Sequence, residues 1–169
     1  MAAREAELTA IEAELATWAK APPLATTVSR LGAYRGIAAL TGMTLAAEVV
    51  DWRRFATARA FMGFSGLIPS EYSSGERSRR GHITKAGPAG VRTALIEAAW
   101  AYQHRPGIGV TLSRRQTDAT PETLARWWTA QQRLHAKHKK MTGRGKPPGV
   151  AVVGIARELA GFVWAEMTS

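Results

Sequence analysis

Residues 66–100, GLIPSEYSSGERSRRGHITKAGPAGVRTALIEAAW, set the strongest limit on what this chain can fold into. The stretch opens on a turn at Gly66 and Pro69, then runs for about fifteen residues with almost no apolar side chain. A core-forming pattern returns only in a helix that starts at Pro88, with Val91, Leu95, Ala98, Ala99 and Tyr102 on one stripe. Connections in compact domains are usually about 4–6 residues long, and much longer ones are binding or catalytic loops or else disordered. A long basic polar loop with a function is therefore expected here. It holds adjacent hydroxyls, Ser73 and Ser74, then Gly75, then Arg77, Arg79, Arg80 and Lys85. Those residue types suit phosphate, because they combine a nucleophile or hydrogen-bond donor, close backbone approach and positive charge. Arg92 lies off the apolar stripe and is expected to point back toward the loop, as long helical side chains do.

On both sides of this loop the apolar spacing is helical, and no convincing strand or internal repeat is visible. Leu8, Ile11, Leu15 and Trp18 form the narrow seam of an amphipathic helix with glutamates on its other faces, ended by Pro22 and Pro23. The seam suits a coiled-coil arm or a helix packed on its own domain, and two or three heptads leave both open. Two short helices, from about Leu24 and Leu40, flank a turn at Arg35 and Gly36 in the outline of a helix-hairpin-helix, a form that a generic helical hairpin shares. In such a turn, backbone amides and a helix N-terminus can hold a DNA phosphate. Trp52 and Phe55 are expected as core anchors. Residues 104–120 read as a linker, Thr120-Pro121 as a helix start, and residues 150–166 as the last helix. His135 and His138 stand three apart among lysines with no carboxylate or thiol partner, so they read as surface histidines and no metal site is expected. The fold class is all-α: a helical bundle with a helix-hairpin-helix-like element, the basic loop and an N-terminal coiled-coil-like helix. Three parts follow from this reading: residues 1–22, the amphipathic helix; residues 23–115, the helical domain with the Ser-Gly loop; and residues 116–169, C-terminal helices with a basic linker.

The formal charge of the 169 residues is +10, and its placement decides its meaning. Residues 71–150 carry about 15 of the 23 Lys and Arg but about 5 of the 13 Asp and Glu, so the excess is local. A local basic excess is the footprint expected of a nucleic-acid partner, bound with steep salt dependence. No basic helix carries a continuous apolar stripe, which sets an anionic membrane aside, and no run is long and apolar enough to span one. Without cysteine there are no disulfides, thiolate sites or cysteine nucleophiles. No signal peptide is visible, and a cytoplasmic, nucleoid-associated location is expected. A phosphate loop, a dinucleotide fingerprint and a paired acidic motif for two metal ions are all missing, which leaves serine chemistry on phosphate.

Three runs, RGIAALTG, WRRFATARAFMGFSGLIPSEYSSG and RGHITKAGPAGVRTALIEAAW, closely resemble the C-terminal transposase domain of the IS110/IS116/IS902 family of bacterial insertion sequences. The resemblance covers about residues 32–102, and Arg144-Gly145-Lys146 and Ala156-Arg157-Glu158-Leu159 also look like the family's C-terminal end. It implies DNA recombination through a serine nucleophile, with Ser74 at that position. Arg35, Gly36, Arg77, Arg79, Arg80, Lys85 and Arg92 are the expected nucleic-acid contacts. It also implies a structured guide RNA, a homodimer or tetramer, and a separate RuvC-like domain whose acidic residues bind Mg2+; no cofactor is expected within this chain. Arg35 stands where the family has proline, and Val91-Arg92 where it has Leu-Arg. The RuvC-like domain has no counterpart among these residues, so the chain reads as a fragment inactive on its own. A non-catalytic DNA- or RNA-binding remnant, or a dimerising module, is the alternative.

Overall fold

The computed structural model describes residues 1–74 and 77–169, with the backbone alone at Ala2, 72–74 and 77–80. In chain order the elements are α1 (Ala2–Trp18), α2 (Ala25–Gly32), α3 (Ala39–Val49), α4 (Ala58–Phe64), β1 (Pro69–Ser74), β2 (Arg77–Ile83), α5 (Ala89–Trp100), a 3-10 turn (Ala101–Gln103), α6 (Val110–Arg115), α7 (Pro121–Thr142) and α8 (Pro148–Thr168). The all-α expectation holds for the body of the molecule. None of the described helices is long and apolar enough to cross a membrane.

The core forms around α5 and α8. Helix α8 packs on α4, α5, α7 and α2, and α5 packs in turn on α3. Their facing stripes are rich in small residues, with Ala98 and Ala99 on α5 and Ala156 and Ala160 on α8, interleaved with Leu95, Ile155, Leu159 and Val163, all fully buried. Alanine at helix contacts lets the axes approach closely while the branched neighbours fill the grooves. A second focus is aromatic: Trp52 and Phe55 pack on Phe61 at ring-centroid distances of 5.1 and 5.3 Å. Both expected anchors therefore serve the core, Trp52 buried and Phe55 half-buried. Two helix starts follow from hydroxyl caps, with the Thr57 and Thr120 side chains accepting from the Ala60 and Thr123 amides.

Three expectations need correction. Part of the polar loop is a two-stranded antiparallel ribbon, in which Pro69 pairs with Ile83, Tyr72 with Arg79, Ser73 with Ser78 and Ser74 with Arg77, with an irregularity between Pro69 and Glu71. The residues between Ser70 and Gly81 carry no two-residue alternation of apolar side chains, so the pattern that marks a packed strand is absent from its sequence. The linker expected at 104–120 contains α6, seated by buried Leu112 and by buried Gln116, whose Nε2 donates to the Ala33 carbonyl at 2.8 Å. The histidines on α7 are half-buried rather than on the surface. His135 Nδ1 lies 3.1 Å from the Tyr102 carbonyl, and His138 Nε2 is buried without a hydrogen-bond partner among the described residues. Burial, with the His135 charge second, holds the His138 pKa below its ordinary value.

Helix α1 keeps its apolar seam outside. Leu8, Ile11 and Trp18 are exposed and Leu15 is half-buried, while Ala19 begins a small cluster with Val28 and Ala46.

Candidate nucleic-acid interface

Thr84 donates its amide to the Ile68 carbonyl at 2.9 Å, and Lys85 donates to Gly66 at 3.1 Å, which closes the foot of the hairpin. Gly87, at φ +81°, brings the returning chain so close to the Phe64 carbonyl that a Cβ there would overlap it. The foot is thus clamped between α4 and α5 by backbone contacts that require glycine. From this base the strands carry Ser74 and Arg77 to facing backbone positions at the far end of the pairing. The side chains of Ser74, Arg77, Arg79 and Arg80 lie outside the described residues, as does Gly75 between the strands.

Of the remaining expected contacts, Lys85 and Arg92 come together. Lys85 is exposed at the foot with φ 53°, and its carbonyl accepts from Arg92 Nη1 at 3.1 Å. The guanidinium in the first turn of α5 does reach back to the ribbon. Arg35 and Gly36 sit elsewhere. The turn between α2 and α3 packs on Ala98 and Ala101 at the other end of α5, and Arg35 Nη1 donates to the Arg105 carbonyl at 2.6 Å. Roughly 9 Å of helix rise separates Arg92 from Ala98, so α5 holds two basic groups at its two ends.

The fold also sorts the basic residues by task. Arg30 and Arg126 converge on Glu166, at 3.2 and 3.0 Å, and Arg133 and Lys137 both pair with Glu158. Glu166 is buried and also accepts a 3.4 Å hydrogen bond from the Tyr34 hydroxyl, whose pKa is pushed up by burial and by the Glu166 charge. Arg30 and Arg126 are thus committed to the buried Glu166, and Arg133 and Lys137 to the half-buried Glu158.

Two basic side chains that sequence reasoning missed line the foot of the ribbon. Arg59 on α4 and Arg157 on α8 border a cleft of about 490 Å³ with Met62, Ile68, Ser70 and Glu71. Neither makes an ion pair among the described residues, whereas Glu158 beside Arg157 is turned into the α7 seam. A sequence signal existed for one of them: Arg157 and Glu158 are the only charged residues between Val150 and Trp164, and one of the two needs a reason to be there. No group of three His, Asp or Glu that could hold a metal occurs among the described residues, so these side chains do not fit the Mg2+ that the resemblance assigns to an acidic domain.

Residues 28–114 match the family model described as "Transposase IS116/IS110/IS902 family", which takes in the α2–α3 turn, the ribbon, α5 and nearly all of α6. The chain belongs to this family. It is 43% identical over 142 residues to a putative transposase, y4qE, of Sinorhizobium fredii, covering 84% of this chain and 36% of that protein. A probable family 20 transposase of Pseudomonas aeruginosa is 32% identical over 82% of this chain and 34% of its own length. A transposase for insertion sequence element IS1328 of Yersinia enterocolitica is 26% identical, over 84% and 36% respectively. The chain thus spans about a third of the length of these relatives. Every expected contact residue lies inside the matched segment, whereas Arg157 lies beyond it.

Proposed function

We propose that this transposase chain binds DNA along its ribbon and carries the serine nucleophile for strand cleavage and rejoining, with Ser74 as the attacking group. The observation that carries the reading is the pairing of Ser74 with Arg77 at the end of a ribbon whose foot holds Lys85 and Arg92. In the proposed step the Ser74 hydroxyl oxygen forms a bond to a backbone phosphorus. The bond from phosphorus to one deoxyribose oxygen breaks, and that oxygen leaves with a proton. The reverse attack by a deoxyribose hydroxyl rejoins the strand and frees the serine. Charge on the phosphate oxygens in the transition state is met by the ribbon arginines Arg77, Arg79 and Arg80, since a guanidinium fork binds two oxygens at once. Arg35 and the turn at Gly36 contact a more distant phosphate from the other end of α5. A structured RNA would use the same basic surface, and assembly into dimers would use the α1 seam.

The test is a covalent adduct. Joined to an acidic RuvC-like domain and given DNA bearing the element's ends, the chain is expected to yield a protein–DNA species that survives denaturation. Ser74→Ala, with Ser73 intact, is expected to lose it. An adduct that persists in Ser74→Ala rejects the assignment. A non-catalytic, self-associating DNA-binding module is the second reading, favoured by the exposed Leu8, Ile11 and Trp18 on α1. It requires binding without any adduct.

A further inference from the structure

Arg157 lines both hollows that flank the ribbon foot. One is the cleft with Arg59; the other, about 500 Å³, is lined also by His82, Ile83 and Lys85. Arg157 therefore borders the foot of the ribbon in both hollows. It is half-buried, and no carboxylate pairs with it among the described residues. A cation drawn partly out of water without a counter-ion favours binding an anion. Arginine suits phosphate oxygens in particular. Met62 and Ile68 form apolar walls that lower the local dielectric and strengthen such an attraction, and Thr84 adds a hydroxyl. The one acidic group lining it, Glu71, is exposed and makes no ion pair among the described residues, and its charge opposes an anionic ligand there.

We propose that this cleft is a backbone-phosphate subsite for duplex DNA, with Arg59 and Arg157 as its anchoring groups. The proposal rests on the DNA-binding reading above and deepens it. A phosphate held at the foot sets the register of the duplex along the ribbon toward Ser74 and carries no sequence information. It makes α8 part of the DNA-binding surface.

Binding of a double-stranded DNA by the full chain, followed by fluorescence anisotropy between about 50 and 200 mM salt, tests this. Arg59→Gln and Arg157→Gln are each expected to lower the slope of log affinity against log salt by about 1, and the double variant by about 2. Arg157→Lys is expected to keep the slope, and Glu71→Gln to raise affinity. Helical circular dichroism checks the fold. Should the half-buried Arg157→Gln fail to fold, Arg59→Gln and Glu71→Gln, both at exposed positions, decide the matter. Unchanged slopes in variants of a wild-type chain that binds DNA overturn the subsite and leave the DNA-binding reading standing. Absence of wild-type binding overturns both. Loss of single-stranded RNA binding with duplex DNA binding intact assigns the cleft to RNA and also overturns the proposal.

Discussion

Gly36 combines two demands that no other amino acid meets. Its φ is +85°, and a Cβ at that position would overlap the Ala98 carbonyl of α5. The left-handed conformation alone costs a residue with a side chain about 1–2 kcal/mol, and the overlap adds to this. Gly36→Ala is expected to destabilise the fold by about 2 kcal/mol or more, seen as a melting temperature lower by about 4–8 °C. The turn was legible in the sequence because glycine beside arginine breaks the helical period. What the turn packs on was not, since nothing in residues 32–38 names a partner some sixty positions away. The cap residues contrast with this: Thr57 and Thr120 act on amides three residues on, so their roles could be read locally.

Among the elements, α7 and α8 are joined by a carboxylate with two cations. Burial by itself would raise the Glu158 pKa. The hydrogen bonds and charges of Lys137 and Arg133 outweigh it and hold the group below its ordinary 4.5. The folded chain therefore binds this proton less tightly than the unfolded one. The stability involved is fully present above about pH 5 and is lost as pH falls through the depressed folded value. Melting temperature is expected to fall from pH 5 to pH 3, and Glu158→Gln is expected to flatten that fall while lowering the plateau above it. The ribbon and α6 are the elements that sequence patterning missed. Periodicity reports burial, and a hairpin clamped at its foot by glycines and peptide hydrogen bonds leaves no periodic trace, whereas α5 and α8, buried along a face, announced themselves through Val91, Leu95, Ile155 and Leu159.

At the scale of the whole molecule, Glu166 near the C-terminus ties α8 to α2 through Arg30 and to α7 through Arg126, with Tyr34 completing the set. Removing one partner of a buried pair costs about 3–5 kcal/mol, and because these two arginines are about a third exposed and can rehydrate, Glu166→Gln is expected to cost nearer 2 kcal/mol. Chemical denaturation of the two proteins measures it. One buried cluster runs from Leu31 to Val163, taking in residues on both sides of position 115. The order of letters was enough to yield the helical class and the local basic excess, which depend on spacing and composition along the chain, and the family, through the resemblance of its short motifs. Which arginines line the ribbon foot and which pair with glutamates, why Arg35 stands apart from Arg92, and how Arg59 and Arg157 come to border one cleft follow only from packing. Charge is a property of a residue, but its pairing depends on neighbours that the fold brings from α4 and α8, almost a hundred positions apart.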